Sequence, residues 1–104
     1  MDIIRTADAE RIGKLNSEVQ QLHHRLYPDT FKPYDFPAVR RFFEKAVENP
    51  NFLFFLVTNG EEDAAYLWIE IRAYSENAFI RAHTSVYVHH LGVVERYRHQ
   101  GIGK

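Results

Sequence analysis

Residues 87–104 read Tyr87-Val88-His89-His90-Leu91-Gly92-Val93-Val94-Glu95-Arg96-Tyr97-Arg98-His99-Gln100-Gly101-Ile102-Gly103-Lys104. The first part, rich in Val and Tyr, reads as the end of a strand over 84–94. The second part carries the spacing Arg-x-x-Gly-x-Gly, from Arg98 to Gly103. Glycines directly after a strand let the backbone approach a ligand closely and expose successive N–H groups. A helix starting here directs its unpaired N–H groups and its dipole at a phosphate-like anion. Arg98 and Lys104 add positive charge. Two other glycine motifs fail on spacing. A Walker A loop ending at Lys104 needs glycine where Arg98 stands, and a Ser or Thr after Lys104. A dinucleotide fingerprint starting at Gly101 needs a third glycine beyond residue 104.

Upstream of this stretch the chain is organised by hydrophobic period. Asp2–Arg5 is a short strand. Thr6 or Asp8 can cap a helix whose stripe is Ile12, Leu15, Val19, Leu22 and Leu26. Tyr27-Pro28-Asp29 ends it. A connector follows with Phe31, Pro33, Tyr34 and Phe36. Pro37 suits the first turn of a second helix, with Val39, Phe42, Phe43, Ala46 and Val47 on one face. Phe52–Thr58 is an unbroken apolar run, the pattern of a strand covered on both faces. Asn59-Gly60 opens a hairpin turn. The next strand alternates, with Ala65, Leu67, Ile69, Ile71 and Ala73 on one face and Tyr66, Trp68, Glu70, Arg72 and Tyr74 on the other. Residues 75–83 read as a loop. The order is strand, helix, helix, three strands: a mixed α/β (α+β) fold in one domain over residues 1–104.

Composition excludes several function classes. The chain has 104 residues, a formal net charge of −1 and no cysteine. Disulfides, thiolate metal sites and a cysteine nucleophile are therefore ruled out. Residues 1–80 carry nine Lys/Arg against thirteen Asp/Glu, and residues 81–104 carry four against one. That distribution disfavours a nucleic-acid binder and leaves a small basic site near residue 100, the size of one phosphorylated ligand. No apolar run reaches ~18 residues, so no membrane span is expected. The N-terminus does not read as a signal peptide, and a cytoplasmic protein is expected. No metal site is expected either. His89 and His90 alternate across a strand, with His90 expected on the face opposite His89, and His23 and His24 diverge by about 100° on a helix.

The stretch 87–104 resembles the acyl-CoA signature of the Gcn5-related N-acetyltransferase (GNAT) family, in which a Leu-x-Val strand leads to Arg/Gln-x-x-Gly-x-Gly/Ala at the head of a helix. The earlier order of elements is similar, including a first strand ending Ile4-Arg5-Thr6-Ala7. A bacterial subgroup looks closer still. Its pattern is matched here by His23, Pro28, Phe31 and Pro33, and by Glu76-Asn77-Ala78-Phe79 before a Tyr-Val-His strand. Family members continue through a helix, a strand, another helix and a hairpin. The resemblance therefore implies an N-acetyltransferase-like domain truncated at the start of its CoA-binding helix.

The resemblance implies direct transfer of an acetyl group from acetyl-CoA to an amine, either a small molecule or a protein amino group. Backbone groups of Leu91, Gly92 and Val93 are then expected to hold the pantetheine. The N–H groups of His99, Gln100, Gly101, Ile102, Gly103 and Lys104, with Arg98 beside them, are expected to hold the pyrophosphate. Gly92 can permit a strand bulge, or it can simply mark a tight packing spot. The oxyanion falls to the N–H of Val93 or its neighbour. His89 is the candidate base, because imidazole transfers protons near neutrality. Tyr87 is expected on the same face to hold a water. Glu70 is the alternative base, and a solvated Glu–Arg pair is the plainer reading of its face. Phe31 and Tyr34 either wall a pocket or belong to the core. The general acid is expected outside these residues. A second hypothesis is a non-catalytic half-domain whose exposed 84–94 edge makes a homodimer or strand-exchanged assembly.

Overall fold

The structure, a computed structural model, describes residues 1–97. Strand β1 (Asp2–Thr6) leads into helices α1 (Ala9–Leu15), α2 (Ser17–Leu26) and α3 (Phe36–Ala46). Strands β2 (Phe52–Asn59), β3 (Glu62–Tyr74) and β4 (His83–Val93) follow, then a 3-10 turn over Glu95–Tyr97. The four strands form one sheet in the order β1-β2-β3-β4, and every pairing is antiparallel. Among the described residues, no helix is long and apolar enough to cross a membrane.

The helix starts follow local chemistry. The Asp8 carboxylate accepts from the Arg11 N–H at 3.2 Å and caps α1. Asp35 accepts from Ala38 N–H at 3.3 Å and caps α3, with Pro37 in its first turn. The single first helix expected from the apolar stripe is two helices joined at Asn16. Its backbone remains helical, φ −69° and ψ −16°. Its side chain is buried and bonds to Tyr66 Oη at 3.0 Å. Periodicity alone does not register such a one-residue break.

The core lies between the helices and one face of the sheet. It contains Ala9, Ile12, Phe43, Ala46, Phe54, Leu56, Tyr66 and Trp68. Phe43 on α3 sits edge-on to Phe54, Tyr66 and Trp68, with centroids 5.9, 6.3 and 5.8 Å away. Burying one such ring contributes about 1.5–3 kcal/mol, and the edge-to-face geometry adds to it.

Two expectations about the faces are corrected. In β2, Phe54, Leu56 and Thr58 are buried, while Leu53, Phe55 and Val57 on the other face are only half-buried among the described residues. In β3, the Tyr66–Trp68 end of the face read as solvated is core, and only its Glu70–Tyr74 end emerges toward solvent. The reason is length. Thirteen strand residues span about 40 Å at ~3.3 Å each, whereas the eleven residues of α3, whose Phe43 packs on Tyr66 and Trp68, cover about 16 Å at ~1.5 Å each.

The hairpin between β2 and β3 turns at Gly60, whose φ of 66° suits a residue without a side chain. The segment after β4 is tied back to this hairpin. Tyr97 is buried, its hydroxyl donates to Glu62 and it accepts from Asn59 Nδ2 at 3.2 Å. Arg96 pairs with Glu62 at 2.7 Å.

Candidate active site

The site forms where β4 departs from regular pairing with β3. Trp68 pairs with His90 and Ile69 pairs with Val88, so His89 is an extra residue on β4. This is a β-bulge, and it puts two consecutive side chains on one face. The expectation that His90 faces away from His89 is therefore overturned. His89 stacks on Trp68 at 4.4 Å, and His90 meets the same indole edge-on at 5.0 Å. Both line a cleft of about 360 Å³ together with Asn16, Gln20, Val39, Phe42, Phe43 and Trp68. The bulge falls at His89, not at Gly92. A sequence signal for it exists: the apolar positions of β4 run Val86, Val88, then Leu91, Val93, a jump from even to odd numbers.

His89, Glu70 and Tyr87 come together as a cluster. His89 Nε2 lies 2.7 Å from Glu70 Oε1. The same carboxylate oxygen lies 3.4 Å from an Arg72 guanidinium nitrogen. The hydrogen bond with His89, then Arg72, holds the Glu70 carboxyl below its usual range. Glu70 in turn raises the Arg72 guanidinium. Arg72 stands 4.1 Å over the Tyr87 ring, and Tyr87 meets the His89 ring at 4.7 Å. Phe52 meets the His89 ring edge-on at 5.4 Å. The solvated Glu–Arg pair and the His89 cluster are thus one arrangement.

His90 has different surroundings. Its Nδ1 lies 3.1 Å from Tyr66 Oη. Burial lowers its pKa, with smaller contributions from His23 on α2 and from His89. Burial likewise pushes the Tyr66 hydroxyl up to about 12. The linkage sign follows. A His kept neutral in the fold binds its proton more readily unfolded, so its contribution is complete above ~6.5 and is lost as pH falls through the lower folded value. We expect the urea midpoint to decline below pH ~6.5, with a shallower decline in His90→Asn. Equal slopes in the two proteins would remove His90 from the account. The Glu70 contribution has the same sign and falls lower, below the ordinary carboxylate range.

Gly92 pairs with Tyr66 across the sheet and sits beneath Val19 of α2. A Cβ there would lie 2.5 Å from Tyr66 Cε1 and 3.1 Å from Val19 Cγ2. Of the two sequence readings of this glycine, close packing is the one realised. Leu91 is half-exposed on the opposite face, and Val93 pairs with Ala65. Beyond β4 the sheet has no further strand among the described residues. Arg98, His99, Gln100, Gly101, Ile102, Gly103 and Lys104 lie outside the described residues.

Phe31 and Tyr34 belong neither to this cleft nor to the core cluster. Phe31 packs on His23 at 4.8 Å, and the Tyr34 hydroxyl donates to the Gly13 carbonyl at 2.6 Å. They brace the helices. The contact that sequence reasoning missed is the chain of hydrogen bonds joining Asn16, Tyr66 and His90. Among the described residues, no group of three His, Asp or Glu side chains is arranged to hold a metal ion.

Comparison with known proteins gives a consistent context. The chain is similar to the BH1408 protein of Bacillus halodurans, solved as a tetramutant: 23% identity, TM-score 0.84, covering 99% of this chain and 68% of that one. An acetyltransferase from Vibrio fischeri aligns with TM-score 0.72 at 12% identity, covering 98% and 76%. An aminoglycoside antibiotic 6'-N-acetyltransferase from Acinetobacter baumannii aligns with TM-score 0.62 at 17% identity, covering 97% and 62%. At these identities the likeness establishes a shared fold. No curated protein matches the sequence. The profile of the acetyltransferase (GNAT) family matches residues 17–104, a span that holds the bulged strand, the glycine motif and every residue lining the cleft except Asn16, and the chain belongs to that family.

Proposed function

We propose that this chain acts as an acetyl-CoA-dependent N-acetyltransferase, passing the acetyl group directly to an amine on a small molecule or a protein. The observation that carries the reading is the Glu70–His89 pair, clamped against Trp68 in the cleft beside β4. An ionised carboxylate only accepts hydrogen bonds, so the hydrogen between them belongs to His89 Nε2. In the neutral ring the lone pair then sits at Nδ1, which has no partner among the described residues. That nitrogen takes a proton from the acceptor ammonium, directly or through one water, and Glu70 stabilises the imidazolium formed. Arg72 and Tyr87 hold the pair in place. Acetyl-CoA supplies the acyl thioester. The outer side of β4, with no strand beyond it among the described residues, suits a ligand lying along Leu91, Gly92 and Val93. The Arg98–Lys104 motif takes the pyrophosphate.

Calorimetric titration of acetyl-CoA into the chain tests the reading. Saturable binding is expected, with Gly101→Glu weakening it by about 10–100-fold, since charge-assisted phosphate contacts are worth ~1.5–3 kcal/mol. Unchanged affinity in the variant would remove the phosphate assignment. No heat with the wild type would overturn the use of acetyl-CoA.

A further inference from the structure

The bulge brings a second histidine to the cleft, and its hydrogen bonds define which nitrogen carries the proton. Asn16 Nδ2–H donates to Tyr66 Oη at 3.0 Å. Tyr66 Oη lies 3.1 Å from His90 Nδ1. Tyr66 is fully buried, and among the described residues its hydroxyl hydrogen has no other acceptor. A hydrogen on His90 Nδ1 would leave that hydroxyl hydrogen buried and unpaired, at a cost of ~1–3 kcal/mol. The Tyr66 hydroxyl therefore donates to a bare Nδ1, and a neutral ring then carries its hydrogen on Nε2. Nε2 has no partner among the described residues, and His90 lines the cleft. The lowered His90 pKa and the raised Tyr66 pKa agree with a neutral ring beside a protonated phenol.

We propose that His90 serves the transfer as a neutral hydrogen-bond donor, offering Nε2–H to a substrate oxygen in the cleft and held in that tautomer by Tyr66 and Asn16. The proposal rests on the acetyltransferase reading above. Two consecutive residues then present opposite polarities. His89 commits its hydrogen to Glu70 and offers a lone pair. His90 commits its lone pair to Tyr66 and offers a hydrogen. Neutrality at position 90 matters, because an imidazolium would repel the ammonium that His89 must deprotonate. Tyr66 and Asn16 act through His90 and are positioning residues.

The test separates a donor from a mere partner for Tyr66. In His90→Gln the carboxamide NH₂ reaches toward the place of Nε2. In His90→Asn the carboxamide oxygen replaces Nδ1 as acceptor for Tyr66, and nothing replaces the donor. With spermidine and a peptide amino terminus as acceptors, CoA release by His90→Asn is expected to fall about 10²–10³-fold, as for a lost oxyanion donor, while His90→Gln keeps substantially more activity. Nitrogen-15 NMR of the resting protein gives a readout independent of turnover. Wild type should show a bare Nδ1 and a protonated Nε2 at His90, and Tyr66→Phe should lose that preference. A protonated Nδ1 in the wild type, or His90→Asn at least as active as His90→Gln, would overturn the role of His90 alone. No CoA release by the wild type with either amine would overturn the acetyltransferase reading, and the donor role with it.

Discussion

Replacing His89 with alanine is expected to lower kcat by about 10²–10⁴-fold, the span of a positioned proton acceptor. The effect should fall on kcat more than on acetyl-CoA affinity, because the residues assigned to the cosubstrate are the backbone of Leu91–Val93 and the Arg98–Lys104 motif. The acidic limb of the rate–pH profile should flatten in the variant, since the group whose protonation stops the reaction is gone. His89→Gln should not recover the rate, because a carboxamide keeps a donor for Glu70 and brings no basic nitrogen. Glu70→Gln should be milder than His89→Ala, since it leaves the imidazole in place against Trp68 and removes only the charge that stabilises its protonated form. A profile unaltered in His89→Ala would move the base elsewhere, with Glu70 the next residue to examine.

The second large effect concerns folding. Gly92→Val should destabilise the protein by about 3 kcal/mol, the upper end for overpacking a core, or on the order of 100-fold in the folded-to-unfolded ratio. Valine is a favoured strand residue, so propensity alone argues for a gain. Sterics decide otherwise. The new Cβ would lie 2.5 Å from a ring carbon of Tyr66, which is fully buried and edge-on to Phe43. The ring has nowhere to retreat. Tyr66→Phe should not relieve the clash, because the atom in the way is Cε1 and not the hydroxyl. Urea unfolding of Gly92→Val and the wild type measures the difference, and a change under 0.5 kcal/mol would show that Tyr66 can move.

Much of the fold was legible because it rests on period. The stripes of Ile12 to Leu26 and Val39 to Val47 mark helices, and the alternation from Ala65 to Tyr74 marks a strand. Which face of β3 is buried was less legible. Tyr66 and Trp68 each combine a large apolar ring with one polar atom, and only the packing of α3 shows that the rings govern. Glu70, Tyr87 and His89 were legible as types and positions. Their partners were not, since pairing across strands depends on register, and register was displaced by one residue. His90 was misplaced for the same reason. Asn16 and Tyr66 lie fifty positions apart, and nothing local in either segment announces that they meet.

The extra residue at position 89 also divides β4 into two stretches that obey opposite parity. Before it, the odd-numbered Ser85 and Tyr87 lie opposite Arg72 and Glu70. After it, the even-numbered His90 and Gly92 lie opposite Trp68 and Tyr66. Were residue 89 paired regularly instead of bulged, the composition, strand propensity and glycine motif would be the same, but His89 would stand opposite Trp68 and Leu91 opposite Tyr66. Everything downstream would be out of phase, and a residue with a full side chain would stand where only hydrogen fits beside Tyr66. In a protein of this kind the length of one strand, counted to the single residue, is as much a part of the site as the chemistry of any side chain in it.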